Sequence, residues 1–475
     1  MSVLGLRSRA ITLRSALAVV ALAAVLTPAR AFAIGEKITD VRIMDNQRTE
    51  EATVRSIAGV AAGDVLEADT LDKVRERLNT AGLFSDVNVW WEARGEGVRI
   101  NIAVKDKFPW APVPTGSWSA NNKSFGLLFV HGNLFGRGKQ MALGGRIATV
   151  DSGAVLAYRD PALFGSWLYW QLQAQIQRQV IPEYDNYGPG IVLADPILIR
   201  ESHLFAYGLE PALGIAWFRR VKTQVSWRLE QFKNQGSLVG PDYMIPMVNN
   251  STVSATEGGT VGIGRAALTF DFRAREFAVM RGAALSMAFD YGSPSFGGDF
   301  KFWRAGASWE QGVRLFKAHN FIYVFGATVG HNLPFWMENT AGGPNLRGYL
   351  LQQFRGDTSI FGKAEYHFPL FSIGSLDFRA LAFYDVSALW YRESLAGATT
   401  VQDAAHGLDY TVRNTFDQRS FPNGVEQGFH MHNIHNSVGG GLRFFLRSVA
   451  VPLVGFDAGY GIEARNWRFL LIVGA

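Results

Sequence analysis

From about Phe108 onward the chain reads as one short strand after another, with no long amphipathic helix between them. Nothing else in the sequence narrows the possible folds as much. Trp167–Val180 shows the pattern most clearly: Leu168, Trp170, Leu172, Ala174 and Ile176 fall on one face, and Gln171, Gln173, Gln175 and Gln177 on the other. Side chains alternate at period two along a strand, so one face is apolar and the other carries an uncharged polar row. A soluble sandwich shares this alternation. Segment length favours a membrane barrel, because about 9–11 tilted residues cross a bilayer. Similar segments recur near 113–119, 124–131, 140–149, 153–160, 206–218, 223–232, 262–273, 284–291, 302–311 and 320–329. Five more follow at 360–368, 378–387, 438–446, 453–461 and 467–473. The expected fold class is therefore membrane all-β, an antiparallel barrel of about 16 strands, the even number bacterial barrels require.

The connections support this reading. Longer polar stretches at about 183–200, 233–260 and 391–436 alternate with short turns such as Phe135-Gly136-Arg137-Gly138. Loops that are long at one end and short at the other are the habit of outer-membrane barrels. The chain has 13% aromatic residues, 51 glycines and mean hydropathy near zero. This composition suits many strands and turns with side chains at a membrane boundary. The formal charge of +5 misleads: four of the 46 basic residues (Arg7, Arg9, Arg14, Arg30) precede residue 34, where no acidic residue occurs, leaving 42 basic against 41 acidic. Such balance argues against nucleic-acid binding by bulk charge. Cysteine is absent, which rules out disulfides and thiolate metal sites.

Residues 1–33 read as a secretory signal: basic Arg7, Arg9 and Arg14, an apolar run Ala16–Leu26, and a small-x-small pattern at Ala31-Phe32-Ala33. The run is shorter than the ~20 residues a membrane helix needs. Residues 34–107 then read as a small α+β domain, with 108–475 as the barrel. Ile38–Met44 is a short strand, and the Thr49–Ile57 region is helical. Asp69 or Thr70 caps a helix with the stripe Leu71, Val74 and Leu78, with Gly82 beyond its end. Two alternating strands follow, around Val87–Trp91 and Val98–Val104, giving a three-stranded sheet with helices on one face.

One loop carries unusual chemistry. Gly342-Gly343-Pro344-Asn345 marks a turn, followed by Leu346-Arg347-Gly348-Tyr349 and a second Arg-Gly at Arg355-Gly356. The next strand carries Lys363, Glu365 and His367 on one face, and Ile360, Gly362, Ala364, Tyr366 and Phe368 on the other. Inside a wide barrel this makes sense: a loop folded into the lumen needs charged partners on the wall. Arg347 is expected to dock there.

At these residues the chain resembles the BamA/TamA superfamily of outer-membrane proteins, the bacterial surface antigens. The step Ala81-Gly82-Leu83-Phe84-Ser85-Asp86-Val87 resembles the POTRA domain of such proteins, here in one copy. Asn133-Leu134-Phe135-Gly136-Arg137-Gly138, Tyr158–Phe164, and Asp271-Phe272-Arg273 with Arg281-Gly282 look like ordered barrel elements of the superfamily. Leu346-Arg347-Gly348-Tyr349 resembles its signature at the tip of the sixth extracellular loop, and Ala382-Phe383-Tyr384-Asp385 follows. The resemblance implies that Arg347 bonds to Glu365 and Asp385 on the barrel wall. It also implies an outer-membrane location with the POTRA domain in the periplasm, and a non-enzymatic role in assembling or inserting β-barrel proteins. The partners would be unfolded outer-membrane proteins or a secreted polypeptide, outer-membrane lipids, and periplasmic chaperones or lipoproteins. The rival function is a dedicated translocation pore of the two-partner secretion type. Such pores usually carry two POTRA domains and an N-terminal plug helix, for which the predicted cleavage site near the small domain leaves no room.

A barrel must close its first strand on its last. Pro112 and Pro114 lie in or just before the first strand, Trp467 and Phe469 in the last. Proline cannot donate to a ladder. The two prolines either weaken this seam or end the linker from the small domain. No cofactor is expected. His430, His432 and His435 have spacing compatible with a metal but no acidic or thiol partner nearby, so no metal site is expected. No nucleophile or acid pair stands beside a histidine in an ordered constellation, so no enzyme is expected either.

Overall fold

The computed structural model describes residues 34–95, 97–163, 166–188, 191–217, 220–239, 258–392, 398–403, 408–413, 420–422, 428–446 and 452–474. The expected export signal lies outside these residues, as do the middle of the 233–260 connection and parts of 391–436. The chain forms two compact units: the described residues up to Trp110 with His131–Lys139, and Ala111–Val130 with the residues from Gln140 onward.

In the first unit the order is β1 (Ile38–Met44), α1 (Glu51–Ala58), α2 (Thr70–Thr80), β2 (Phe84–Arg94) and β3 (Gly97–Asp106). The sheet order is β1-β3-β2, with β1 parallel to the central strand and β2 antiparallel to it. Apolar residues at helical spacing in α1 and α2 (Val54, Ala58, Val74, Leu78) are buried against the inner face of the sheet (Val41, Ile100, Ile102). Gly59 ends α1 in the left-handed conformation. There Arg77 Nη1 donates to the orphan carbonyls of Ala58 at 2.9 Å and Gly59 at 2.8 Å. At the start of α2 the expected cap differs in detail. Asp69 holds the N-cap position without a side-chain capping bond and pairs with Lys73 at 2.9 Å, while the Thr70 hydroxyl accepts from the Glu67 N–H.

The second unit is a closed antiparallel barrel of sixteen strands. The first six are β4 (Trp110–Trp118), β5 (Lys123–Leu134), β6 (Lys139–Ala148), β7 (Asp151–Asp160), β8 (Leu168–Gly188) and β9 (Ile191–Trp217). Next come β10 (Val221–Val239), β11 (Gly258–Asp271), β12 (Val279–Gly292), β13 (Phe302–Leu315) and β14 (His319–His331). The last five are β15 (Thr358–Ile373), β16 (Leu376–Trp390), β17 (Ile434–Leu446), β18 (Pro452–Gly461) and β19 (Asn466–Val473). Among the described residues no helix is long and apolar enough to cross a membrane; a barrel crosses with strands.

The ladder shows how alternation becomes a wall. Leu213, Val225, Ala266, Phe289, Ala305 and Val329 stand opposite one another in one row across β9 to β14. Leu213, Val225 and Phe289 expose their side chains on the outer face. One residue along, on the inner face, Arg265, Asp290 and Arg304 form a row across β11, β12 and β13. There Arg265 Nε bonds Asp290 Oδ1 at 2.6 Å and Arg304 Nη2 bonds Asp290 Oδ2 at 2.8 Å.

Two expected connections are themselves structured. The described residues of 183–200 are strand: β8 runs to Gly188 and β9 begins at Ile191, so the two strands continue as a long hairpin. Its ladder shifts register between Glu183 and Tyr184 and again between Asp185 and Tyr187. The break in alternation there reflects bulges rather than the end of pairing. The 391–436 connection contains a small sheet of Ala398–Asp403, Leu408–Arg413 and Ser420–Pro422.

Candidate functional site

The connection between β14 and β15 is the most elaborate part of the barrel's interior. Asn339–Ala341 pairs with Phe354–Gly356, which gives the loop a two-stranded stem. Before the stem, the turn Phe335–Met337 inserts Trp336 beside Phe232 at 4.1 Å and Phe300 at 5.3 Å between ring centres. These rings cap an apolar cluster of inward side chains that includes Ile181, Leu204, Phe302 and Leu333. Beyond the stem, Leu346 and Tyr349 pack with Phe354, Leu389 and Ala464. Burial of this apolar surface fixes where the tip lies, and the polar groups of the tip must then find partners.

Arg347 finds three carboxylates. Its side chain is 4% exposed, and its Nη2 and Nε bond Asp385 Oδ1 and Oδ2 at 2.7 and 2.8 Å, a two-pronged fork. Nη1 lies 2.7 Å from Glu365 Oε1 and 3.3 Å from Asp457 Oδ2. The Arg347 backbone N–H also donates to Asp385, at 3.1 Å. The guanidinium carbon sits 3.5 Å from the centre of the Phe383 ring. A planar fork suits this task, since it satisfies carboxylates bidentately and stacks on an aromatic face.

The carboxylates have partners of their own. Arg443 Nη1 and Nη2 bond both oxygens of Asp457, at 2.5 and 2.9 Å. His367 Nε2 lies 2.7 Å from Glu365 Oε2. Lys363 Nζ donates to the Pro344 carbonyl at 2.8 Å. Three acidic groups (Glu365, Asp385, Asp457) thus face three basic ones (Arg347, Arg443, Lys363). Buried charge in a lumen is tolerated where it is paired in this way.

Glycine permits the approach. Gly348 has φ of +107°, and a Cβ there would lie 2.6 Å from the Gly461 nitrogen. From the wall side, a Cβ on Gly459 would lie 2.7 Å from the Arg347 carbonyl carbon. Backbone therefore meets backbone, and the arginine stem is left no slack. Beyond Gly348, the Tyr349 hydroxyl donates to Glu463 in the turn between β18 and β19, and lies 3.2 Å from the Asn436 carbonyl. Glu463 also accepts from the Asn436 N–H at 2.8 Å and from Asn436 Nδ2 at 2.6 Å. Burial works to raise the Glu463 pKa, but these bonds outweigh it and hold the carboxyl below the usual glutamate value.

The structure thus brings together Leu346, Arg347, Gly348, Tyr349, Glu365 and Asp385. Asp457 and Arg443 complete the cluster and were missed. Their only signal was a lone aspartate in the glycine-rich apolar strand Pro452–Gly461 and an arginine on the neighbouring strand, which the ladder places two positions from it on the diagonal. The three late histidines do not converge. His430 and His432 stack on each other at 5.4 Å, whereas His435 stacks on Phe354 at 3.6 Å beneath the loop.

Pro112, Pro114, Trp467 and Phe469 all lie on the seam strands β4 and β19. Among the described residues the seam ladder has three residue pairs, Trp118 with Leu471, Ser117 with Ile472 and Gly116 with Val473. On its other side β19 pairs with β18 at eight positions. The prolines precede the paired part of β4, and Trp467 and Phe469 lie on the unpaired part of the seam edge of β19.

Residues 133–446 match the Omp85 superfamily domain, and residues 36–107 match the POTRA domain described as a surface antigen variable number repeat. No curated protein matches the sequence. Among solved structures, BamA from Haemophilus ducreyi lacking POTRA domains 1–3 is similar, with TM-score 0.61 and 14% identity over 92% of this chain and 84% of that one. CdiB from Escherichia coli is similar with TM-score 0.58 and 13% identity, over 93% of this chain and 76% of that one. CdiB from Acinetobacter baumannii gives 0.55 and 12%, over 92% and 74%. The sixteen-stranded barrel, the POTRA domain and the matched domain over most of its length place this chain in the Omp85 superfamily, as an outer-membrane protein with its POTRA domain in the periplasm.

Proposed function

We propose that this protein is an assembly factor that inserts or folds other β-barrels in the outer membrane, without catalysis, by capturing strands at the barrel seam and on the POTRA sheet. On this reading residues 1–33 are removed on export, 34–107 form the POTRA domain and 108–475 the barrel. The observation that carries it is the seam: among the described residues, three ladder pairs close β4 on β19, against eight between β18 and β19. Unpaired backbone in lipid is costly, so a barrel's least-paired junction is where it opens. Once open, the N–H and C=O groups of β4 and β19 form a template on which an incoming strand can pair. Pro112 and Pro114 have no backbone N–H, so this end of β4 cannot donate to a ladder at those positions. The docked Arg347 loop braces the wall from inside, joining β15, β16 and β18 beside the seam. Unfolded outer-membrane proteins are the substrates, and periplasmic chaperones or lipoproteins the accessory partners.

Depletion of the protein followed by quantitative proteomics of outer membrane and medium tests the assignment. A broad fall in unrelated barrels supports it. Loss of one secreted protein with the barrels intact makes the chain a dedicated polypeptide translocation pore instead. A second test uses the absence of native cysteine: the pair Ser117→Cys and Ile472→Cys, opposite one another across the seam, locks it by oxidation. Activity should vanish when locked and return on reduction, and full activity in the locked state overturns strand capture at the seam.

A further inference from the structure

The far part of the β8–β9 hairpin bonds to both sides of the seam. Arg468, on the last strand β19, donates from Nη2 to the Ala194 carbonyl at 2.9 Å and pairs with Asp195 Oδ1 at 2.7 Å. Asn466 Nδ2, on the same strand, donates to the same carbonyl at 3.2 Å. On the other limb, Tyr184 accepts at its hydroxyl from Asn121 Nδ2 at 3.2 Å. Asn121 lies in the turn that ends the first strand β4, so one hairpin holds both seam strands.

The chain is built to reach that far. Between β4 and β8 stand three further strands, so the hairpin must bend over the mouth of the barrel to touch β19. Both register shifts of the β8–β9 ladder fall within Glu183–Tyr187, where a bulge bends a strand pair. Pro182 and Pro196 lie at opposite ends of this bulged stretch, one on each limb, and bulges are positions that accept proline. The two limbs are then seated: Val192 is buried in the cluster with Leu346 and Tyr349, and Asn186 Nδ2 donates to the Gln353 carbonyl at 3.0 Å. Asn121 in turn exchanges two bonds with Leu351, at 3.0 and 3.1 Å. Hairpin, docked loop and seam thus meet in one place.

We propose that the β8–β9 hairpin is a clasp that holds the seam closed from the mouth, compensating for its three-pair ladder and setting how readily it opens. This rests on the seam reading above, in which opening admits the substrate strand. The clasp bonds are polar and partly exposed, so they can be released one by one, unlike the buried Arg347 cluster. Asp195, whose side chain is 83% exposed, is the point at which an incoming chain can compete.

Spin labels at Phe125→Cys on β5 and Phe456→Cys on β18, both exposed on the outer face and flanking the seam, report its width by pulsed electron resonance in lipid nanodiscs. The wild-type protein should give one short distance. Asp195→Arg should raise a longer-distance fraction by about two- to five-fold, the scale of a single exposed ion pair. The reversal Asp195→Arg with Arg468→Asp should bring it back. Replacement of residues 185–195 by a short Gly-Ser turn should raise the fraction further, with heat-modifiable migration on gels confirming that the barrel has formed. An unchanged distance distribution in both Asp195→Arg and the shortened hairpin overturns the clasp. The two ideas separate cleanly. A wider seam in the clasp variants with full activity in the disulfide-locked protein leaves the clasp standing and removes strand capture. Activity lost on locking with no change of distance in the clasp variants does the reverse.

Discussion

Replacing Arg347 with alanine should release the loop tip while the barrel remains folded. The substitution removes four side-chain contacts at 2.7, 2.8, 2.7 and 3.3 Å to three carboxylates. Asp457 keeps its pairing with Arg443 and Glu365 keeps His367. Among the described residues, the fully buried Asp385 then keeps a hydrogen bond from Ser437 Oγ at 3.5 Å and the charge of Lys363, its cross-strand neighbour, but loses its two-pronged partner. Removing one member of a buried pair typically costs about 3–5 kcal/mol, because the other charge is left uncompensated. Applied to the docking equilibrium of the tip, that is a shift of about 10²- to 10⁴-fold toward the released state. Hydrogen exchange measured across 342–353 in nanodiscs reads that equilibrium directly, as local opening free energy. Arg347→Lys should fall between wild type and alanine, since an ammonium cannot fork onto Asp385. Arg347→Ala combined with Asp385→Asn should cost less than the sum of the two, because the stranded charge is gone. Protection in Arg347→Ala within about 0.5 kcal/mol of wild type would refute the reasoning, as surface substitutions alone have effects of that size.

Other outcomes follow from the same geometry. Gly348→Ala should loosen the same segment by about 1–3 kcal/mol, through a positive φ and a clash with the Gly461 nitrogen, visible in the same exchange experiment. Asp290→Asn should leave Arg265 and Arg304 without their shared carboxylate and loosen the front limb, where Arg304 Nη1 lies 3.4 Å from the Met337 carbonyl; exchange at 333–341 should rise while 346–349 stays protected. Acid should weaken the Tyr349 contact. Glu463 has a lowered folded-state pKa, so its stabilisation is complete above the ordinary value of 4.5 and is lost as pH falls through the lower folded value. Glu463→Gln should flatten that pH dependence in the exchange of 346–349. Tyr349→Phe should weaken docking by about 1.5–3 kcal/mol, the loss of one hydrogen bond to a charged group.

Much of the barrel was legible because a strand's period is short and local. Leu168 to Ile176 alternate with Gln171 to Gln177 whatever they pair with, and the strand count near sixteen came from such segments alone. The same locality misread residues 183–200. Pro182, the run Gly188-Pro189-Gly190 and Pro196 erase the alternation, and a broken pattern looks like a loop. Pairing persists there because the partner limb runs alongside in register between the bulges, a gain that one strand's sequence does not display.

For the site, sequence alone determined that a glycine-rich turn presents Arg347 and that the strand after it carries Glu365 on one face with Lys363 and His367. The family resemblance implied Glu365 and Asp385 as partners of the Arg347 guanidinium, and only the tertiary structure added Asp457. Asp457 stands 110 residues from Arg347 along the chain, and the two come within 3.3 Å because closure of the barrel places β18 beside the seam, opposite the loop tip. The clasp residues are farther apart still, Asp195 and Arg468 by 273 positions. Alternation dictates which face a side chain occupies, since that follows from backbone geometry at a single residue. Which faces confront one another across a lumen depends on strand number and stagger summed around the whole barrel, and no local stretch encodes that sum.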